Sequence, residues 1–402
     1  MTRRRAAAVL VLSLSLVVGL WVLMMAVAAG VTFLVTPLYR TFAFRIGAVD
    51  VPEDRKVHRD PTPTAGGLAI FAGVAAGFVA ARFLGVFDAM FTTSREPFGV
   101  IAAALFLVLV GVVDDVRGMK APAKLAAQAV AAGAIVLAGI QFVFFWLPGV
   151  GLVSLSIDLA ALLTVVWTVA VINGLNLIDG LDGLAAGVTA IAAGALFVYA
   201  YQSSSGQATV ATLFPVLVFG SCVGFLPHNF NPARVFMGDA GSMLLGFVIA
   251  GVAVSGVMKS AAAIAFVAPL IILAIPILDT SFVILKRLKY GLPVYSADRS
   301  HFHHRFFTIG WGQRKTVLAL YAWCALMGAA AITLRFVRYR DPDGSLNLEG
   351  ALVLGGAGLL ALAASVYMVY ILEILKWRST PVVTLVRQSR FSRAGRREVA
   401  RR

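Results

Sequence analysis

The chain has 402 residues, of which 60% are hydrophobic and only 13% are charged, and its mean hydropathy is +0.90. Soluble proteins carry about 25% charged residues, so this composition excludes a soluble globular protein and indicates a polytopic membrane protein. The net charge of +15 does not indicate a nucleic-acid-binding protein. The basic residues lie in loops and in the C-terminal tail, where they favour membrane topology and anionic ligands.

Uncharged stretches near the roughly 20 residues that cross a bilayer predict eleven membrane-spanning helices and hence an all-α fold. The predicted spans are approximately residues 9–37, 65–86, 97–114, 121–140, 155–174, 184–201, 208–226, 241–258, 261–285, 315–334 and 350–374. The first apolar run is longer than the core of a signal peptide, so we expect a retained helix. Pro276 predicts a break in the ninth span, beside a cavity. We expect one catalytic domain over residues 1–375 and a flexible basic tail over residues 376–402.

The loops can be assigned to the two sides of the membrane by their lysines and arginines. Most of these residues lie in the tail and in the loops after spans 1, 3, 5, 7 and 9, which places these segments in the cytoplasm. Arg3, Arg4 and Arg5 are an exception to this rule, because the same alternation places them outside. Either the charges of the later loops outweigh them, or the weaker predicted span 121–140 is wrong. The cytoplasmic loops also contain all five histidines and nearly every polar cluster. We therefore expect an enzyme or a transporter in the inner (plasma) membrane, with one polar site on its cytoplasmic face.

Two adjacent carboxylates, Asp114 and Asp115, end the third predicted span. Neighbouring carboxylates repel each other, and the pKa of one rises unless a cation lies between them. The pair therefore suits metal binding or proton transfer. The alternative is a pair at a helix end that water solvates.

The next polar cluster follows the fifth span. Asn173, Asn176 and Asp179 are three residues apart, so they share one face of a helix end, and Asp182 lies one step further. Oxygen ligands of this kind suit Mg²⁺, which takes one or two carboxylates together with substrate phosphates. The alternative is a turn rich in Asn, Asp and Gly.

A third cluster enters the eighth span. Asp239 lies at the predicted helix start, where free N–H groups and the helix dipole favour phosphate. A carboxylate at this position also caps a helix without any ligand, which is the alternative. Phe236 suits stacking on a nucleotide base, and a core phenylalanine is its alternative.

Basic clusters occupy two further cytoplasmic loops. Lys56 and His58 precede a Pro-Thr-Pro turn, and their alternative is an ordinary positive-inside flank. The loop after span 9 carries a second cluster, which consists of Arg299, His301, His303, His304 and Arg305. We interpret this cluster as a phosphate clamp. Zinc is the alternative, but no cysteine lies nearby.

Five motifs stand in a recognisable order: Lys-Val-His-x-x-Pro-Thr-Pro-x-x-Gly-Gly, the Asp114-Asp115 pair, Asn-x-x-Asn-x-x-Asp-Gly-x-Asp-Gly-Leu, Val-Phe-Met-Gly-Asp-Ala-Gly-Ser and Asp-Arg-x-His-x-His-His. In these motifs the chain resembles the polyprenyl-phosphate N-acetylhexosamine-1-phosphate transferases, from about residue 40 to residue 335. The resemblance implies a membrane enzyme that moves a sugar 1-phosphate from a UDP-sugar to a polyprenyl phosphate in the membrane lipid and releases UMP. It also implies Mg²⁺ as the cofactor, with Mn²⁺ as a substitute.

The resemblance also implies roles for individual residues. Asp114 and Asp115 would be the catalytic carboxylates. The metal site would consist of Asp239, Asn176, Asp179 and Asp182, the last three also contributing to the nucleotide site. The substrates would contact Lys56, His58, Asn173, Phe236, Arg299, His301, His303, His304 and Arg305, with Phe236 facing the uracil. Some family members carry a lysine three residues after the second aspartate, where this chain has Gly118, and Arg117 or Lys120 would replace it.

The donor and the mechanism follow from the same likeness. Phe302 interrupts the histidines, as in the aminosugar branch of the family, which favours UDP-N-acetylglucosamine over UDP-N-acetylmuramoyl-pentapeptide. We expect in-line attack of the lipid phosphate on the sugar-linked phosphorus. Asp114 or Asp115 would either deprotonate that phosphate or attack first to form an acyl phosphate. A homodimer is a further expectation. The alternative from another class is a transporter of lipids or nucleotide sugars, but transporters place polar residues near mid-membrane and on both faces.

Overall fold

The computed structural model describes residues 3–50, 61–147, 151–204, 206–258, 311–341 and 343–371. The chain divides into two compact units, Met1–Ala361 and Leu362–Arg402. Only the end of the last helix is described in the second unit, so the predicted tail over residues 376–402 lies outside the described residues.

Eleven helices are described. They are α1 (Arg3–Ile46), α2 (Gly67–Phe83), α3 (Asp88–Thr93), α4 (Glu96–Arg117), α5 (Ala121–Leu137), α6 (Ile157–Ile178), α7 (Leu184–Ser203), α8 (Val210–Asn229), α9 (Gly238–Met258), α10 (Gln313–Phe336) and α11 (Leu348–Ile371). Eight of them are long and apolar enough to cross a membrane, which confirms a polytopic membrane protein.

The remaining predicted spans have different outcomes. The second span is α2 followed by a 3₁₀ turn (Gly85–Phe87) and α3, and the chain bends by 90° between the two parts. The fourth corresponds to α5, which is shorter than the other spans. The ninth, with its predicted break at Pro276, lies outside the described residues. The count of eleven therefore stays a prediction.

The all-α prediction omits two short pairs of antiparallel strands. One pair, β1 (Val49–Asp50) and β2 (Thr62–Pro63), lies between α1 and α2. The other, β3 (Phe144–Leu147) and β4 (Gly151–Ser154), joins α5 to α6. Both pairs occupy stretches that are too short to cross a membrane. The prediction is based on the length of uncharged stretches, and this length does not distinguish a strand from a loop.

Helix α1 continues past Pro37, where the first predicted span ends. A proline removes one backbone donor, but helices in lipid tolerate this because groups of neighbouring helices can satisfy the freed carbonyl. Here the freed carbonyl is that of Phe33, four residues before Pro37, and Nε2 of His228 lies 3.1 Å from its oxygen. The extra turns carry the chain to β1.

Helices α8 and α9 form the centre of the first unit. In the most apolar stretch of each helix, 78% of the residues are buried in α8 and 89% in α9, against 39% in α4 and in α6. Helix α9 packs against α4 and α6, and it begins where both of those helices end. This arrangement brings the polar ends of the three helices to one end of the bundle.

Candidate active site

Four helix ends position the predicted polar residues together. Asp114 and Asp115 lie in the last turn of α4, and Asn176 lies in the last turn of α6. Asp239 lies in the first turn of α9. The beginning of α5 adds a residue that the sequence analysis did not predict, Lys124.

The Lys124 ammonium group joins two of the predicted carboxylates. Its Nζ lies 3.0 Å from Oδ2 of Asp239 and also contacts Oδ2 of Asp114. The side chain of Asp114 is buried, and its Oδ1 accepts a hydrogen bond of 2.6 Å from the backbone N–H of Met119. Lys124 is therefore the counter-ion of this carboxylate pair.

Lys124 falls inside the fourth predicted span, where it is the only charged residue. An ionisable side chain within an apolar span is a signal of function, and this signal could have identified it. Arg117 and Lys120 are the replacements that the resemblance offers at this place, but both side chains are exposed and neither forms an ion pair within the described part of the chain. In the structure Lys124 supplies the positive charge instead.

Asp115 has a different environment from Asp114. Its Oδ1 accepts the backbone N–H of Asp239 at 2.8 Å, and its Oδ2 accepts that of Ala240 at 3.2 Å. These two groups are free donors at the start of α9, so Asp115 caps that helix from α4. Gly238 permits the contact: its φ is +70°, and a Cβ there would lie 2.5 Å from Oδ2 of Asp115. The geometry thus separates the two predicted catalytic carboxylates.

The two asparagines of α6 face different surroundings. The Asn176 amide donates to Oδ1 of Asp239 and, at 2.8 Å, to the hydroxyl oxygen of Ser242, so it orients the Asp239 carboxylate. Asn173 donates to Oε1 of Gln128 at 2.6 Å and to the carbonyl oxygen of Val169 at 2.7 Å. Both N–H groups of Asn173 are therefore used inside the bundle.

Asp182 organises the loop between α8 and α9. Its Oδ2 accepts hydrogen bonds from the side-chain amide of Asn231 at 2.9 Å and from the backbone N–H of Ala233 at 3.0 Å. The Asn231 amide also donates to Oε1 of Gln313 in the first turn of α10 at 2.7 Å. Buried Asn229 supports the same loop. Its Oδ1 accepts a hydrogen bond from the backbone N–H of Gly183, and its Nδ2 donates to the carbonyl oxygen of Val235.

Asp179 follows the last residue of α6 and is partly buried. Its carboxylate makes no hydrogen bond or ion pair with the residues that the structure describes. Burial, and then the negative charges of Asp239, Asp115 and Asp182, raise the pKa of Asp179 well above its ordinary value. A cation near this carboxylate would offset that cost.

The strand β2 and the turn that follows it contact the Phe236 segment through the backbone. Phe236 donates its N–H to the carbonyl oxygen of Pro63 at 2.8 Å and accepts from Gly66 at 3.0 Å, and Gly67 donates to Met237 at 2.9 Å. A Cβ on Gly67 would collide with the backbone of α9, so this close approach requires glycine. The structure therefore joins the Pro-Thr-Pro motif to the start of α9.

Seven predicted substrate-binding residues cannot be placed. They lie outside the described residues and are Lys56, His58, Arg299, His301, His303, His304 and Arg305. The other two, Asn173 and Phe236, lie beside the cluster, with Asn173 directed into the bundle.

The donor set can be compared with the needs of Mg²⁺. Among the described residues, no group of three or more His, Cys, Asp or Glu side chains has the arrangement of a complete metal site. Mg²⁺ does not need one, because it takes one or two carboxylates and completes its shell with water and substrate phosphates. The carboxylates of Asp239 and Asp179 fit this pattern, and the uncompensated charge of Asp179 favours a cation.

Comparisons with known proteins identify the family. The sequence model named "Glycosyl transferase family 4" matches residues 97–257, a range that contains Lys124 and all the carboxylates of the site. A Bacillus subtilis protein named as a probable undecaprenyl-phosphate N-acetylglucosaminyl 1-phosphate transferase is 37% identical over 305 residues, covering 75% of this chain and 81% of the relative. The decaprenyl-phosphate N-acetylglucosaminephosphotransferase of Mycolicibacterium smegmatis is 35% identical, covering 84% and 86%. An Escherichia coli undecaprenyl-phosphate alpha-N-acetylglucosaminyl 1-phosphate transferase is 28% identical, covering 76% and 83%.

The alignments with the first two relatives extend over most of the chain, well beyond the five motifs. They confirm the likeness that the five motifs indicate. The chain belongs to the polyprenyl-phosphate N-acetylglucosamine-1-phosphate transferases of glycosyl transferase family 4.

Proposed function

We propose that this chain transfers N-acetylglucosamine 1-phosphate from UDP-N-acetylglucosamine to a polyprenyl phosphate and releases UMP, as the first membrane step of a cell-envelope glycan. The names of the relatives support the reaction and the acceptor class. The observation that carries the proposal is the contact of Lys124 with both Asp114 and Asp239, because it assembles the family's motif residues from separate helices into one site.

The described residues divide the chemical work between them. We assign the reacting carboxylate to Asp114, which faces Lys124, and a positioning role to Asp115, whose oxygens hold the start of α9. Asp114 accepts the proton of the lipid phosphate, or attacks the sugar-linked phosphorus itself. In the second case UMP leaves as the acyl phosphate forms, and a lipid phosphate oxygen then displaces the Asp114 carboxylate from that phosphorus. In the direct route a lipid phosphate oxygen bonds to that phosphorus as its bond to the UMP oxygen breaks.

Charge on the diphosphate has to be neutralised as UMP leaves. Lys124 is the described cation nearest the reacting carboxylate, and it stabilises negative charge that develops on phosphate oxygens. Mg²⁺, when bound at Asp239 and Asp179, supplies further positive charge to the diphosphate. Asn176 holds the Asp239 carboxylate in place for that purpose.

The membrane arrangement belongs to the same proposal. The site lies at one end of a helical bundle, and the predicted cytoplasmic loops lead into it. The positive-inside rule supports a cytoplasmic site in the plasma membrane, with the tail on the same side. Eleven spans and a homodimer remain predictions.

A transfer assay tests the reaction and the donor. Purified protein is incubated with UDP-N-acetyl[¹⁴C]glucosamine and polyprenyl phosphate, and labelled lipid and UMP are measured. We expect both products from wild type and none from Asp239→Asn. The exposed Asp158→Asn variant, in the first turn of α6, is the matched control. Product from UDP-N-acetylmuramoyl-pentapeptide alone would correct the donor. If no donor gives product, an uptake assay in proteoliposomes tests transport.

Metal removal tests the cofactor. We expect EDTA to abolish transfer and either Mg²⁺ or Mn²⁺ to restore it, because the site offers oxygen ligands. Binding of Mn²⁺ followed by electron paramagnetic resonance should be weaker in Asp239→Asn than in wild type. Full activity in EDTA, together with equal Mn²⁺ binding by both proteins, would contradict the metal assignment.

A further inference from the structure

A second polar layer lies one helical turn deeper in the bundle than the site. Gln128 follows Lys124 by four residues on α5, and Asn173 precedes Asn176 by three residues on α6. Met243 follows Asp239 by four residues on α9. Residues at these spacings lie on the same helix face, so each member of this layer lies beneath a site residue of its own helix.

The layer is joined across the three helices by the side-chain amide of Gln128. Its Oε1 accepts the hydrogen bond of 2.6 Å from Asn173, and its Nε2 donates to Sδ of Met243 at 3.5 Å. The Gln128 side chain is fully buried. A buried amide without partners is costly, so the contact with Asn173 determines where this side chain can lie.

Apart from the contacts of Lys124 and Gln128, the described part of α5 packs against α4 and α6 mainly through apolar side chains. Its buried residues besides Gln128 are Ala131, Ala132 and Ile135. Apolar packing of small side chains has no direction and permits sliding or rotation, whereas a hydrogen bond fixes a partner and a distance. Lys124 lies in the first turn of α5. Its ammonium group reaches both Asp114 and Asp239 only if α5 keeps its position along its axis and its rotation about that axis.

We propose that Gln128 and Asn173 form a positioning pair for the transfer reaction, which holds α5 so that Lys124 lies between Asp114 and Asp239. The inference rests on the proposed function, since it assigns Lys124 a task in that reaction. It also changes the expected role of Asn173 from a substrate contact to an internal support. The pair acts through Lys124 and does not touch the substrates.

An exchange of the two side chains tests the contact directly. Gln128→Asn shortens one partner by a methylene group and breaks the hydrogen bond, while the double variant Gln128→Asn/Asn173→Gln restores the combined length. We expect Gln128→Asn and Gln128→Leu to lower kcat by roughly tenfold or more, as small displacements of catalytic groups do, with KM for the UDP-sugar changed by less than about threefold. The exchanged pair should recover most of the lost kcat. Gln207→Leu, at an exposed glutamine, is the control and should match wild type.

Hydrogen–deuterium exchange separates this proposal from the proposed function, because it needs no substrate. Backbone amides of residues 124–130 should exchange faster in Gln128→Leu and return to wild-type protection in the exchanged pair. Two results would overturn the positioning role: wild-type kcat in Gln128→Leu, or an exchanged pair as impaired as Gln128→Asn. An inactive wild-type protein would overturn the proposed function alone, and the protection of residues 124–130 would still decide whether the pair holds α5.

Discussion

Lys124 on α5 lies 3.0 Å from the carboxylate of Asp239 on α9. The same ammonium group contacts Asp114 on α4, so one side chain connects three helices at the end of the bundle. Asp114 and Asp239 come from motifs far apart in the sequence, and a cation between two carboxylates removes their mutual repulsion. The contact explains how two acidic helix ends can approach each other in a largely apolar chain.

Replacement of Lys124 by methionine should therefore impair the reaction. The variant keeps the apolar stem of the side chain but leaves Asp114 and Asp239 without their counter-ion. We expect kcat/KM to fall by about 10²- to 10³-fold, the usual cost of removing one group that stabilises developing charge. Lys120→Met, at an exposed lysine just before α5, is the matched control. Equal losses in the two variants would show that general charge, and not this position, is responsible.

Asp115→Asn and Asp239→Asn should differ in stability although both abolish transfer. An asparagine at position 115 keeps one acceptor oxygen and loses the charge that caps α9, which costs about 1 kcal/mol of unfolding free energy. Asp239 caps nothing through its side chain in the described structure, so its replacement should lower the unfolding midpoint less. Thermal unfolding in detergent, measured beside the transfer assay, tests both statements. Near-wild-type turnover in either variant would refute the role given to that residue.

Gly238→Ala should disturb the same cap from the other side. The left-handed backbone conformation at Gly238 costs other residues about 1–2 kcal/mol, and the added Cβ would meet the Asp115 carboxylate. We expect a lower unfolding midpoint together with a loss of transfer. Gly30→Ala in the middle of α1 is the control, because a Cβ there meets no atom within 4 Å. That substitution should be neutral or slightly stabilising.

Asp179→Asn should stabilise the metal-free protein in a pH-dependent way. The folded state raises the pKa of Asp179, so the folded chain binds this proton more tightly than the unfolded chain does. Wild-type stability then falls as pH rises from about 3.9, the unfolded value, through the folded pKa, and asparagine avoids this loss. The difference in unfolding midpoint, measured in EDTA, should grow over that window and then level off, while transfer is lost.

Asp343→Asn provides a control of opposite sign. Hydrogen bonds from Ser345 lower the pKa of this fully exposed carboxyl, so its replacement should not raise the unfolding midpoint. If the advantage of Asp179→Asn were the same at every pH, charge burial would not be its cause.

Much of the site is predictable from local patterns. The spacing of Asn173, Asn176 and Asp179 predicts one helix face, and the alternation of spans predicts that the ends of α4 and α6 and the start of α9 share one side. The structure confirms that Asp114, Asn176 and Asp239 meet there. Asn173 departs from the prediction, because its helix places it one turn deeper than Asn176, where Gln128 is its nearest polar partner.

The amino-acid sequence by itself determines the membrane class, the approximate spans and the family, because apolar run length, loop charge and ordered motifs are properties of short segments. Only the tertiary structure decides that Asp114 faces Lys124 while Asp115 caps α9, and that Asn173 supports α5. These differences depend on how each helix is rotated about its axis and displaced along that axis relative to its neighbours. The side chains of adjacent residues on a helix point about 100° apart, so two neighbouring aspartates that look alike in the sequence reach different helices.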